Sequence, residues 1–106
     1  MLSNIQIDGL SGEEREAVRL AMEYWSESWD WECQTLFGID FVEFDQVLGQ
    51  WPDIEKEYEE IAALAVTGSL RELLMGASAQ SRSAIQEVIG LTYSRAASLL
   101  EKLNKK

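Results

Sequence analysis

Apolar residues recur along this chain at helical spacing, in segments that open on capping signals and close at glycine or proline. Ser11-Gly12-Glu13-Glu14 has the form of a capping box, with Ser11 as N-cap and Glu14 reaching back to it. From there Val18, Ala21, Met22, Trp25 and Trp29 recur one helical turn apart, with Ala17, Leu20 and Tyr24 widening the stripe. The pattern predicts a helix running to about Ser28, with Trp25 and Trp29 stacked along one face. Asp30 to Gly38 shows no clear period, and Gly38 reads as a break.

Asp40-Phe41-Val42-Glu43 is a second capping box. It predicts a short helix with Phe41, Phe44 and Leu48 on one side, stopped by Gly49 and Trp51-Pro52, because a residue before proline is pushed out of the α region. Asp53 is expected to cap or begin a third helix carrying Ile54, Tyr58, Ile61, Leu64 and Ala65, ended by Gly68. Glu55, Lys56, Glu57, Glu59 and Glu60 form its opposite face, and acids in a first turn suit the helix dipole. Ser69-Leu70-Arg71-Glu72 is a third capping box, leading into Leu73, Leu74 and Met75 and closed by Gly76. Ser81 or Ser83 is expected to start a helix with Ile85, Val88 and Ile89. Gly90-Leu91 makes a turn, and Thr92 caps a last helix with Tyr93, Ala96, Leu99, Leu100 and Leu103. Ile5-Gln6-Ile7 alternates like a strand, too briefly to nucleate a sheet.

The expected fold is therefore all-α: a compact bundle of five to six short helices joined by short loops, ending in a helix-turn-helix-like hairpin over residues 82–106. At 106 residues the chain reads as one domain, with residues 1–10 as a flexible N-terminal arm. An apolar fraction of 46% is enough to build a core despite a net charge of −10. Neither a membrane-spanning run nor the basic start and apolar stretch of a signal peptide is present. The single cysteine, Cys33, cannot form an internal disulfide, which fits a reducing compartment and predicts a cytoplasmic protein.

Catalytic chemistry finds little to work with. The chain has no histidine, the commonest general acid–base and metal ligand. Cys33 has no imidazole partner, and Asp30 and Glu32 beside it would raise its pKa. No phosphate- or dinucleotide-binding glycine pattern occurs. Glu57-x-x-Glu60 resembles half of a carboxylate metal site but lacks the histidines of a di-iron bundle, and no EF-hand loop occurs. An all-carboxylate calcium or magnesium site stays open as an alternative. A non-enzymatic protein without cofactor is expected.

Charge and aromatics are distributed unevenly. Nine of the ten aromatic residues lie between Glu23 and Glu60, among 12 acids and a single base, Lys56. Most Trp and Phe in a small domain are packed, so a core of aromatics inside a solvated acidic rim is the first reading. The second is a surface on which exposed aromatics anchor a basic protein partner and acids steer it; phosphates would be repelled. On that reading the contacts are Trp29, Asp30, Trp31, Glu32 and the Asp40–Asp45 stretch, above all Asp40, Glu43 and Asp45. Residues 81–106, in contrast, hold five bases and two acids. This asymmetry either marks two functional faces or is internal, the basic tail folding back on the acidic body or a C-terminal helix placing cations where its dipole prefers them, with the internal explanation ranked ahead.

The hairpin carries one resemblance. Residues 85–103, above all Tyr93-Ser94-Arg95-Ala96-Ala97 followed by Leu99-Leu100, resemble the helix-turn-helix of the winged-helix gamma domain of bacterial DNA translocases. The resemblance covers about 19 residues and implies DNA binding by the last helix, with Ser94, Arg95, Ser98 and Lys102 facing outward and Arg82 contributing from the helix before. A sequence pI near 4.3 is far from the basic footprint of a DNA-binding domain. The expected function is accordingly a small acidic protein-binding module, similar to a bacterial inhibitor or immunity protein, with a DNA-associated regulator as the alternative. A homodimer would serve either.

Overall fold

A computed structural model describes residues 7–75 and 82–104. Among them are six α-helices: α1 (Gly12–Glu27), α2 (Trp31–Phe37), α3 (Phe41–Gln50), α4 (Glu59–Met75), α5 (Arg82–Ile89) and α6 (Tyr93–Asn104), with a 3₁₀ turn at Lys56–Tyr58 leading into α4. No strand occurs among the described residues. The all-α expectation holds, and the Cα radius of gyration of 12.5 Å matches the roughly 13 Å of a compact 100-residue domain.

Two of the three capping boxes form as written. Ser11 caps α1 through a reciprocal box: Glu14 N–H donates to Ser11 Oγ at 3.0 Å, and Ser11 N–H donates to Glu14 Oε1 at 2.8 Å. Asp40 and Glu43 do the same at the start of α3. Trp51, before the proline, leaves the helix at ψ 134°, as the proline ring demands, and the Trp51–Pro52 bond is cis. Gly49 stays inside α3.

The chain between Pro52 and Met75 differs from expectation. Asp53 caps nothing; the helix enters through the 3₁₀ turn and begins at Glu59. Gly68 does not end it, and Ser69 does not cap a new one. Both lie within α4, where the Ser69 hydroxyl donates back to the Ala65 carbonyl at 2.6 Å. The reason is packing. The middle helix α4 contacts α1, α2, α3 and α6, and buries Ala62, Ala65, Val66, Gly68, Ser69, Leu70, Leu73 and Leu74. A break at Gly68 would expose that face, so burial overrides the local box. Gly76 and Ser81, assigned a stop and a start from the sequence, lie outside the described residues, and Ser83 falls inside α5.

Around α4, helix α1 also meets α3 and α5, and α5 folds against α6 across Gly90, which takes the left-handed conformation at φ 75°. Thr92 Oγ1 accepts from Arg95 N–H at 3.3 Å, completing the expected cap of α6. The start of the chain is docked where it is described. Ile7 is helical and buried, Leu10 is buried, and Arg15 donates to the carbonyls of Ile7 and Asp8. Ile5 and Gln6 lie outside the described residues.

Candidate protein-binding surface

The segment without periodicity becomes a helix because its ends are specified. Asp30 caps α2 by accepting from Glu32 N–H at 2.9 Å, and Gly38 closes it at φ 76°, donating to the Gln34 carbonyl. Only the apolar side chains Cys33 and Phe37 of this seven-residue helix are buried, too few to register as a period.

Phe37 is the hub of an aromatic cluster. Its ring meets Trp25 edge-on at 5.5 Å and Trp29 edge-on at 5.4 Å, and stacks on Phe44 at 5.6 Å. Trp29 continues to Phe44 at 5.0 Å and Phe41 at 5.5 Å. Trp29 therefore does not stack with Trp25 along one helix face. It lies past the end of α1, at the joint with α2, and both indoles converge on Phe37 instead. Gly68 makes room for this hub, since a Cβ there would stand 3.2 Å from Phe37 Cδ1.

The candidate contacts separate into groups on this base. Trp29 is half-buried in the cluster. Asp40 and Glu43 are half-buried and hold one another across the start of α3, while Asp30 is exposed with one oxygen engaged as the α2 cap. Trp31, Glu32 and Asp45 are exposed. Trp31 is 84% accessible, and Val42, at 74%, and Phe41, at 40%, open the neighbouring α3. Both lie inside the Asp40–Asp45 stretch expected to make contact, though only its acids were singled out there. Phe41 shares the apolar period of Phe44 and Leu48, so pattern alone assigns it inward. The available signal was Val42, which falls off that stripe.

Cys33 is buried at the inner side of α2, its thiol 3.6 Å from Asp30 Oδ1. Burial, with the negative charge of Asp30 adding to it, pushes the thiol pKa up. Before the 3₁₀ turn, the nearby Glu57 carboxyl pushes the Glu55 carboxyl pKa up. Among the described residues no three His, Cys, Asp or Glu side chains converge on a metal-sized site.

The C-terminal candidates meet elsewhere. Ser94, Arg95, Ser98 and Lys102 line one face of α6, bordering a shallow groove of about 290 Å³ whose far wall includes Glu14. Arg95 pairs with Glu13, and Lys102 Nζ lies 3.3 Å from Glu14 Oε1 and donates to the Gly9 carbonyl at 3.2 Å. The Glu14 carboxyl is held below its ordinary range, first by the Ser11 N–H and also by Lys102. The basic end thus folds back onto acids, as the internal reading expected, but onto the first turn of α1. The side chain of Arg82 and residue Lys105 lie outside the described set. No described helix is long and apolar enough to cross a membrane.

No protein-family model, curated protein or solved structure matches the chain.

Proposed function

We propose that this chain is a small, acidic, non-enzymatic protein-binding module of the cytoplasm. It engages a basic protein partner through the surface formed by α2 and the start of α3, in the manner of an inhibitor or immunity protein. The observation that carries this reading is Trp31, 84% exposed at the first turn of α2, in a stretch from Leu20 to Glu55 that contains nine acids and no base. An exposed tryptophan over a rigid base supplies an anchor whose burial carries much of the affinity, and the surrounding acids raise the association rate. Asp30, Asp40 and Glu43 shape the surface as caps, while Trp31, Glu32, Asp45, Phe41 and Val42 make the contact. Two copies of this face would set like charge against like, so the complex is heterologous.

The experiment is a pull-down with the tagged chain from its native lysate, with and without nuclease, followed by association kinetics over a range of salt. Recovery of a basic protein unaffected by nuclease, with an on-rate that falls as salt rises, is expected. A salt-indifferent on-rate, or binding untouched by charge reversal at Glu32 and Asp45, would defeat the reading.

The second reading is a DNA-associated regulator using α6. In its favour, Ser94, Arg95, Ser98 and Lys102 line a single groove. Against it, Glu13 and Glu14 neutralise the two cations there and would have to release them. Recovery of material lost on nuclease treatment would move this reading to first place.

A further inference from the structure

Trp31 is the most exposed large apolar side chain among the described residues, and its chain neighbours Asp30 and Glu32 are both exposed carboxylates. Asp30 caps α2 through Oδ1, which also accepts from Cys33. The stretch from Leu20 to Glu55 supplies no cation of its own. The arginine that reaches α2 from α4, Arg71, is engaged: it donates to the Leu36 carbonyl at 3.1 Å and pairs with Glu72 at 2.9 Å. The exposed Trp31 indole thus stands in sequence between two exposed carboxylates, with no described cation placed against it.

Resting on the protein-binding reading above, we infer that this face takes an arginine-bearing segment of the basic partner. A guanidinium stacks on the Trp31 indole and its edges donate to the Glu32 carboxylate and to the Asp30 oxygen that the α2 cap leaves free. Arginine fits this arrangement better than lysine for two reasons. Its planar head stacks on a ring while its N–H groups stay free to donate in the plane, and it is more weakly hydrated than an ammonium. The lysine ammonium is a compact, strongly hydrated charge that gives up more water to reach the same ring. Phe41 and Val42 supply apolar contact for the segment's other side chains, and Trp29, 5.5 Å from Phe41, joins the two helix starts rigidly.

The test titrates the full chain at low ionic strength with blocked nona-arginine and nona-lysine peptides of equal charge, following the Trp31 indole N–H by NMR. Trp31→Leu and Glu32→Gln are measured alongside, with melting curves to verify folding. Nona-arginine is expected to bind roughly two- to fivefold tighter than nona-lysine and to shift the Trp31 signal. That preference should vanish in Trp31→Leu, while Glu32→Gln weakens both peptides. Equal binding of the two peptides, with the Trp31 signal unmoved, overturns the arginine inference and leaves the acidic-surface reading standing. Binding of neither peptide overturns both. Concentration-dependent dimerisation lost in Trp31→Leu would assign the face to a second copy of the chain and also overturn it.

Discussion

The indole N–H of Trp25 donates to the main-chain carbonyl of Ser69 at 2.9 Å, joining the last turn of α1 to α4 across 44 positions of sequence. Both residues are buried, so the bond is shielded from water, and the Trp25 ring that makes it also leans on Phe37. Replacing Trp25 by Phe removes the donor and leaves a void. It should cost about 1–3 kcal/mol, read from urea unfolding as a lower midpoint at unchanged slope. A midpoint equal to the parent's would show that this bond does not hold α1 on α4.

Two helical glycines should respond with opposite sign. Around Gly49 in α3 a Cβ meets nothing within 4 Å, so Gly49→Ala should stabilise by about 0.5–1 kcal/mol through backbone entropy. At Gly68 the same gain is opposed by Phe37, whose ring is wedged among Trp25, Trp29 and Phe44 and has little freedom to yield. Gly68→Val, with two further methyl groups, should destabilise by about 2 kcal/mol or more, since overpacking costs about 1–3 kcal/mol and branching adds to it. Thermal melts of the two variants side by side decide it, and equal shifts would contradict the packing argument.

Glu14 links stability to pH. Its carboxyl is lowered in the fold, chiefly by the Ser11 N–H and also by Lys102. A lowered acid contributes stability that is full above its unfolded value of about 4.5 and disappears as pH falls through the folded value. Glu14→Gln keeps an accepting oxygen and removes the charge. It should be slightly less stable than the parent at pH 7, by about 0.5 kcal/mol, and converge on it below pH 4. Chemical denaturation across that range tests the sign, and a gap that widens in acid would refute it.

Cys33 should behave as a packed apolar residue. Burial raises its thiol pKa, so little thiolate is present at neutral pH and reagents cannot reach it. Alkylation of the native chain at pH 8 should proceed only as fast as the protein opens, and become immediate in denaturant. Rapid native labelling would mean that α2 opens independently of the core.

Arg95 and Glu13 are both more than half exposed, so their pairing should be weak, about 0.2–1 kcal/mol by double-mutant cycle and less at high salt. The same variants test the alternative function. If α6 contacts DNA, Glu13→Gln with Glu14→Gln should strengthen binding to a nonspecific duplex by freeing Arg95 and Lys102. An unchanged affinity would remove that reading.

The chain alone determined what rests on neighbours in sequence. The boxes at Ser11–Glu14 and Asp40–Glu43 close within one helical turn, Gly38 and Gly90 take conformations few other residues accept, and the apolar periods of α1 and α6 place Met22 and Leu99 inward. The acidic, base-free stretch around Trp31 was equally legible, because composition needs no coordinates. Ser69-Leu70-Arg71-Glu72 spells the same local motif as the two working caps, yet it lies mid-helix. Only the neighbours packed around α4 decided that, since ending the helix there would have exposed a face that four other helices cover. Tertiary structure likewise decided that Trp29 is wedged while Trp31 is open, and that Arg95 and Lys102 meet Glu13 and Glu14 across more than eighty residues. A capping bond depends on a few adjacent dihedral angles, whereas burial and ion pairing depend on which distant surfaces the folded chain brings together.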